Sequence, residues 1–517
     1  MTRAIIYLLT LLAGLVTAHA QQTKGQVVDA TTREPIAYAN IKINNKDNTV
    51  TNTEGYFTIS EKDENAVLTV SFLGYHASEF TVAQLKSNPT IYLQEGVFEL
   101  GSVFVSNQKP NADSIMAVVR ENLSKNYEYG SGYKYRIFRR ETTQFKPKTM
   151  EVNITKSTGF TKKQLKEANE EIRNFTSNLI KYPPTSYTDV LMDYAAISKK
   201  TEEGKSKLVT KGNVIKAVRL ADESRTASLE ELEESASKLF LKHMDTTKFY
   251  RFKSGWFGSR DTLSFSKEYN DKKAERQKKE LESKGGAIKV DVITQLESQK
   301  SMVYNILRSK TAFTVNNELD FIKQPKNYAY TFEGVSFMDD DMVYIIGFKP
   351  RKGKAKFQGK LYVSETDFAV VRADYELAEG KRLGGINLKL ILGVKVFEDH
   401  SKGTFLYRKN PETEKYYLQY ASIEEGQYFY LHRPIKFIEL ADKDREVVAF
   451  DIKVEGNTFD KTEFLNISSE KITESELEAI KEKDFEYQKL RKYDPNIWKD
   501  YNAIEPLEEM KRFQVME

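Results

Sequence analysis

The chain has 517 residues, with 79 Lys plus Arg against 75 Asp plus Glu, so its formal charge is +4. That near balance gives no electrostatic case for nucleic acid as a partner. Cysteine is absent, which excludes a disulfide framework and a Cys-ligated metal site and leaves stability to packed cores, for which this length allows about two to four domains.

Residues 1–20 read as a secretory signal: the cation Arg3, an apolar run from Ala4 to Val16, and the small-residue site Ala18-His19-Ala20. The run is shorter than the ~20 residues a spanning helix needs. A mature chain starting at Gln21 is the expectation, exported to the periplasm or associated with the outer membrane. No Cys follows the run to carry an N-terminal lipid.

From Lys24 to Leu93 short strands alternate with turn chemistry. Gly25 to Asp29 leads into the turn Thr31-Thr32-Arg33-Glu34-Pro35, Ile36 to Ile43 is a strand, and Thr49 to Ile59 is a hairpin bending at Glu54-Gly55. Ala66 to Phe72 alternates at period two, and Thr90 to Leu93 closes the unit. Strands at this spacing predict a two-sheet sandwich able to fold by itself. The order Gly25-x-Val27-x-Asp29, Glu34-Pro35-Ile36, Ala39-Asn40-Ile41, Thr51-Asn52-x-Glu54-Gly55-x-Phe57 and Ser71-Phe72-Leu73-Gly74-Tyr75 closely resembles the carboxypeptidase-regulatory-like domain. The resemblance implies a seven-stranded, transthyretin-like sandwich over residues 21–105, of the kind that precedes the plug of TonB-dependent outer-membrane receptors. His76-Ala77-Ser78-Glu79 has the H-x-x-E spacing of a zinc carboxypeptidase, but residues i and i+3 of a strand face opposite ways and no third ligand follows. No metal is expected there.

Residues 106–300 read as a mixed, helix-rich middle region. One helix carries Ile115, Val118, Val119 and Leu123 on one face, capped by Asn111 or Asp113. A second runs from about Lys162 to Leu179 and stops at Pro183-Pro184; a third opens at Ser228-x-x-Glu231. Lys267 to Lys284 is almost wholly charged and reads as solvated. Residues 301–460 change to period two. Segments 328–337, 342–348, 356–363, 368–377, 387–397, 403–408, 416–421, 427–431 and 447–454 predict a large antiparallel sheet, curled or half closed. Gly359 to Val363 followed by Phe368 to Arg372 resembles the strand pair of lipoprotein-carrier-like half-barrels. Cations at Lys389, Lys395, Arg408 and Lys415 argue against a membrane barrel. Residues 461–517 read as a helical, charged tail with a capping box at Thr473-x-x-Glu476.

No nucleophile elbow, Walker loop, dinucleotide fingerprint or H-E-x-x-H helix is present, and Asp339-Asp340-Asp341 lacks the spacing of a calcium loop. Catalytic, cofactor-binding and metal residues are therefore each expected to be none, with no cofactor. Asp113-Ser114-Ile115, Asp245-Thr246-Thr247 and Asp261-Thr262-Leu263 look like acceptors of envelope O-glycosylation. The expectation is a multidomain, mainly β protein with some α. It would be a non-catalytic interaction or structural protein binding a protein or glycan partner in the cell envelope, outer-membrane proteins included; the alternative is a component of outer-membrane transport, receptor-like or an amphiphile carrier.

Overall fold

The computed structural model describes residues 22–96, 110–128, 131–200, 204–222, 248–254, 266, 294–313, 319–338, 341–440 and 447–515, together with the backbone of 257–264. The signal-like leader, the helix expected at Ser228, the charged run after Lys267 and Asp339-Asp340 lie outside the described residues.

The first unit is a sandwich of seven strands. Strands β1 (Thr23–Asp29), β2 (Asn40–Ile43), β3 (Asp47–Val50), β4 (Tyr56–Ile59), β5 (Val67–Ser71), β6 (Ser78–Thr81) and β7 (Thr90–Leu93) form a three-stranded sheet, β4-β1-β7, and a four-stranded sheet, β3-β2-β5-β6. A short helix α1 (Val82–Ser87), absent from the sequence reading, leads into β7 behind the capping box of Thr81 and Gln84. Alternate residues point inward, so Val27, Ile41, Phe57, Leu68, Val70 and Ile91 make a dry core of the unit's own. Gly55 takes φ +77° at the expected bend, and a Cβ there would lie 2.7 Å from the Val27 carbonyl oxygen.

Residues 106–300 correct the sequence reading. They do contain α2 (Ala112–Asn126), capped by Asn111, and α3 (Lys162–Lys181), opened by Thr161 and Gln164. They also supply three long strands, β8 (Tyr133–Ser157), β9 (Thr185–Lys200) and β10 (Ser206–Leu220), then β11 (Phe249–Ser254), β12 (Phe257–Ser264) and helix α4 (Gln295–Asn305). These strands belong to the same sheet as β13 (Tyr328–Met338), β14 (Asp341–Pro350), β15 (Phe357–Ser364), β16 (Val370–Leu377), β17 (Gly385–Leu388), β18 (Val394–Lys409), β19 (Tyr416–Glu439) and β20 (Val447–Lys471). A single turn of helix, α5 (Lys389–Leu392), joins β17 to β18, and α6 (Glu474–Ala479), β21 (Gln488–Leu490) and α7 (Glu508–Lys511) complete the chain.

The fourteen-stranded sheet runs β13-β14-β15-β16-β18-β19-β20-β8-β9-β10-β21 along its main path and does not close. It is mixed, since β21 lies parallel to β10 while the other pairs are antiparallel. The segments 416–421 and 427–431 are not separate strands but fuse into β19, because the polar residues between them, such as Glu424, Glu425 and Gly426, stay in the ladder opposite His400 to Lys402. The segment 387–397 divides instead: its first two residues end β17, Lys389–Leu392 form α5, and its last residues, from Val394, run on through 403–408 as β18. Pro147 has no N–H to donate, and the ladder between β8 and β20 shifts register beside it.

Both faces of the sheet are covered. On one face, α2, α4 and Phe321 pack on Tyr135, Ile137, Met192, Tyr194, Ala373 and Tyr375. On the other, Phe138, Leu191, Tyr420 and Leu465 meet Val50 of the sandwich and Ile497, Trp498 and Ile504 of the C-terminal segment. Residues 461–471 complete β20 inside the sheet, and the segment after them is less a charged tail than a strap laid across it. Helix α3 covers the far half of β8 and β20, with Ala168 and Ile172 against Val152, Ile154 and Phe450.

Candidate functional site

The outer face of the four-stranded sheet is polar because its inner face took the aliphatic residues. Asn40 stands beside Ser71, Lys42 beside Thr69, and Thr69 beside Glu79 across the β2-β5-β6 ladder. That face looks across a cleft of about 920 Å3 toward the turn between β18 and β19 and the end of β20. The facing wall presents Arg408 paired with Tyr417, Lys409 paired with Tyr416, and Asn410. Ser469 and Lys471 line it from β20.

One end of the cleft is sealed by a hydrogen-bond chain. Arg408 Nε donates to Gln419 Oε1 at 3.0 Å, Arg408 Nη2 donates to Ser71 Oγ at 3.5 Å, and Gln419 Nε2 donates to Asn40 Oδ1. At the other, Asn410 Nδ2 donates to Glu128 Oε1 at 3.1 Å and to the Tyr133 hydroxyl at 3.2 Å. Burial raises the pKa of Tyr417, and burial followed by the Asp367 carboxylate raises that of Tyr416, whose hydroxyl donates to Asp367 Oδ2 at 3.1 Å. Both phenols stay neutral donors at physiological pH. The cleft therefore offers amides, hydroxyls, tyrosine rings and charges of both signs, with Lys42, Lys46 and Lys471 set against Glu79, Glu412 and Glu470. Such walls hold an extended polar chain by many weak contacts. Among the described residues no histidine lines it.

His76 and Glu79 go separate ways. The His76 ring lies 5.4 Å from the Phe337 ring, while Glu79 accepts from the Thr69 hydroxyl at 3.5 Å. Among the described residues no group of three His, Asp or Glu is placed to hold a metal ion. Ser114 is exposed on the first turn of α2. Residues 245–247 lie outside the described residues and 261–263 are described only in backbone.

The motif residues of the first unit have a second employment that spacing does not reveal. Asn52 Oδ1 accepts from the amides of Glu54 at 2.9 Å and Tyr56 at 3.0 Å, making the bend, while its Nδ2 donates to the Glu505 carbonyl at 3.2 Å. Glu505, nearly buried, bonds Thr58 and pairs with Lys24 at 3.3 Å and Lys511 at 3.0 Å. Asn48 Nδ2 reaches the Ile467 carbonyl at 3.2 Å, and the rings of Tyr38 and Tyr420 lie 5.0 Å apart. The cleft is thereby fixed in width by contacts on both sides. The cleft residues themselves escaped the sequence reading, because the two walls are separated by more than 300 residues of chain.

No curated protein matches the chain. Among solved structures, the crystal structure of a DUF1329 family protein from Desulfovibrio piger ATCC 29098 is similar at 10% identity, over 66% of this chain and 92% of that chain, with a TM-score of 0.16. A score that low carries no argument about fold or function. The family model of the CarboxypepD_reg-like domain matches residues 23–105, and with the seven-stranded sandwich in view the N-terminal unit is a CarboxypepD_reg-like domain.

Proposed function

We propose that this is an exported, non-catalytic interaction protein of the cell envelope, and that the cleft between its regulatory-like sandwich and its large sheet holds an extended segment of a partner protein. The observation carrying the reading is the wall chemistry: amides and hydroxyls interleaved with charges of both signs suit a polypeptide with mixed side chains better than a neutral glycan. The signal-like first twenty residues supply the export. Every described carboxylate with a displaced pKa, Asp29, Glu476, Glu478, Glu482 and Glu508, is moved down, the direction of a partnered anion and the opposite of a general acid. A carrier of amphiphiles would want an apolar cavity on one face of the sheet; Phe321, Phe348, Phe357 and Tyr375 pack on one another there instead.

A photo-crosslinking residue at Lys42 or Glu412, expressed in the native envelope, should trap a discrete protein adduct identifiable by mass spectrometry. The same residue at Lys163, on the exposed side of α3, should not. Equal labelling from Lys163, or no adduct from either cleft position, would sink the reading.

A further inference from the structure

The hairpin of β17, α5 and β18 ends in a surface that the fold leaves bare. Leu390 is fully exposed at 101%, Ile391 is 75% exposed and Ile386 52%, and all four residues of β17 face solvent. These side chains are held out rather than loose. Gly393, at φ +66°, closes the single helical turn, His432 N donates to its carbonyl at 2.8 Å, and Arg433 Nη1 donates to the Leu392 carbonyl at 2.8 Å. Aliphatic side chains gain free energy on leaving water, and this fold does not use that gain.

Along the sequence the tip carries cations alone, while the carboxylates of Glu398 and Glu455 stand further back, beside Gly384 and Tyr428. Residues 380–397 contain Lys381, Arg382, Lys389 and Lys395 and no carboxylate. Behind the tip the cations lie over aromatic rings: Lys389 is 4.2 Å from the Tyr430 centroid, Lys395 4.9 Å from Tyr428 and Arg382 3.7 Å from Phe397. An apolar point backed by cations matches, in that order, the acyl chains and the phosphates of an anionic bilayer surface, and the rings beneath the cations hold them in place.

We propose that residues 385–394 are a membrane-surface anchor, inserting Leu390 and Ile391 into an anionic lipid layer while Lys389 and Lys395 meet its phosphates. No described helix is long and apolar enough to cross a membrane. A second copy of the chain is a poor occupant, since two tips would bring their cations face to face.

Vesicle sedimentation of the chain lacking residues 1–20 tests this. The protein should pellet with phosphatidylglycerol-containing vesicles, remain in solution with phosphatidylcholine alone, and be released by salt. Leu390→Asp with Ile391→Asp should weaken pelleting by about tenfold or more and leave thermal melting unchanged, because neither side chain supports the fold. Lys389→Gln with Lys395→Gln should weaken it several-fold, and Leu390→Trp should shift its emission to the blue on anionic vesicles. Failure to pellet with either lipid, or a doubly substituted Asp variant that pellets like the parent, overturns the proposal. So does a self-association by sedimentation velocity that the Asp substitutions abolish in a protein indifferent to vesicles. Cleft crosslinking from Lys42 reads a different surface, so the two readings fail separately.

Discussion

At Asp29 the first and last motifs of the sandwich meet. Its Oδ1 accepts from the amides of Thr31 at 2.7 Å and Thr32 at 2.6 Å, closing the turn before Glu34-Pro35, and its Oδ2 accepts from the Tyr75 hydroxyl at 2.8 Å. The Thr32 amide, then Tyr75, then the Thr31 amide hold the carboxyl below its ordinary range against a desolvation that opposes them. Burial first, and then the hydrogen bond and charge of Asp29, push Tyr75 up to about 12. The sign follows from linkage. The folded state favours the neutral phenol, so the contribution of Tyr75 is complete below an unfolded pKa of about 10 and is lost as pH rises toward about 12. The contribution of Asp29 is present above about pH 4 and is lost as pH falls through its lowered pKa. Tyr75→Phe should therefore melt lower than the parent at neutral pH but lose less melting temperature between about pH 9 and pH 12; parallel curves would show that the pair does not couple. The sequence displays both motif ends as punctuation for turns, yet only the folded chain brings residues 29 and 75 within one hydrogen bond.

Strand β8 explains why much of the middle of the molecule was illegible as sheet. Period-two reading looks for apolar residues on the covered face, and β8 places the adjacent arginines Arg139 and Arg140 where both faces are covered. Burial of the second is satisfied across the ladder. Arg140 and Asp189 are cross-strand partners, bonded at 2.8 Å through Nε and 2.7 Å through Nη2, and Trp498 Nε1 adds a third donor to Asp189 at 3.0 Å. Arg140 Nη1 meanwhile donates to the Ile504 carbonyl at 3.0 Å, which ties the C-terminal strap to the centre of the sheet. A buried guanidinium that loses its partner costs about 3–5 kcal/mol. Asp189→Ala should lower unfolding stability by that order in urea melts, whereas Asp193→Ala, four residues along the same strand and paired with the more exposed Arg136 at 3.0 Å, should cost under about 1 kcal/mol. Equal losses at the two sites would mean that burial does not govern these pairs. Helices were easier to read, since Asn111, Thr161 and Thr473 stand at their starts as the capping rules require.

The whole molecule is organised by contacts between segments far apart in the chain. Strand β20 returns to pair with β8 over nearly their full length, and the strap from 494 to 515 runs across β10 to the sandwich. No local pattern encodes either step, which is why the sandwich was legible to within a helix while its mooring was not. The sandwich has a core of its own, so it is expected to fold without the rest; the strap decides whether it melts with the sheet or apart from it. Ile497, Trp498 and Ile504 are buried against Phe138, Val218 and Leu465, each worth about 1.5–3 kcal/mol when removed from water. Buried Glu505 joins buried Thr58 to the exposed Lys24 and the half-buried Lys511 at the edge of the sandwich. Removing residues 494–515 leaves as links Tyr38 on Tyr420, Val50 against the sheet, and the bonds of Asn48 to Ile467, Asn40 to Gln419, Ser71 to Arg408 and the Gly74 amide to the Phe337 carbonyl. These are few for a unit of this size, so calorimetry should change from one cooperative transition in the parent to two in the truncated chain, the earlier belonging to the sheet that has lost its cover. X-ray scattering should show a larger radius of gyration before either transition. A truncated chain that still unfolds in a single step at the parent's temperature would assign the coupling to these remaining links, and the strap would then be a covering and not a clamp.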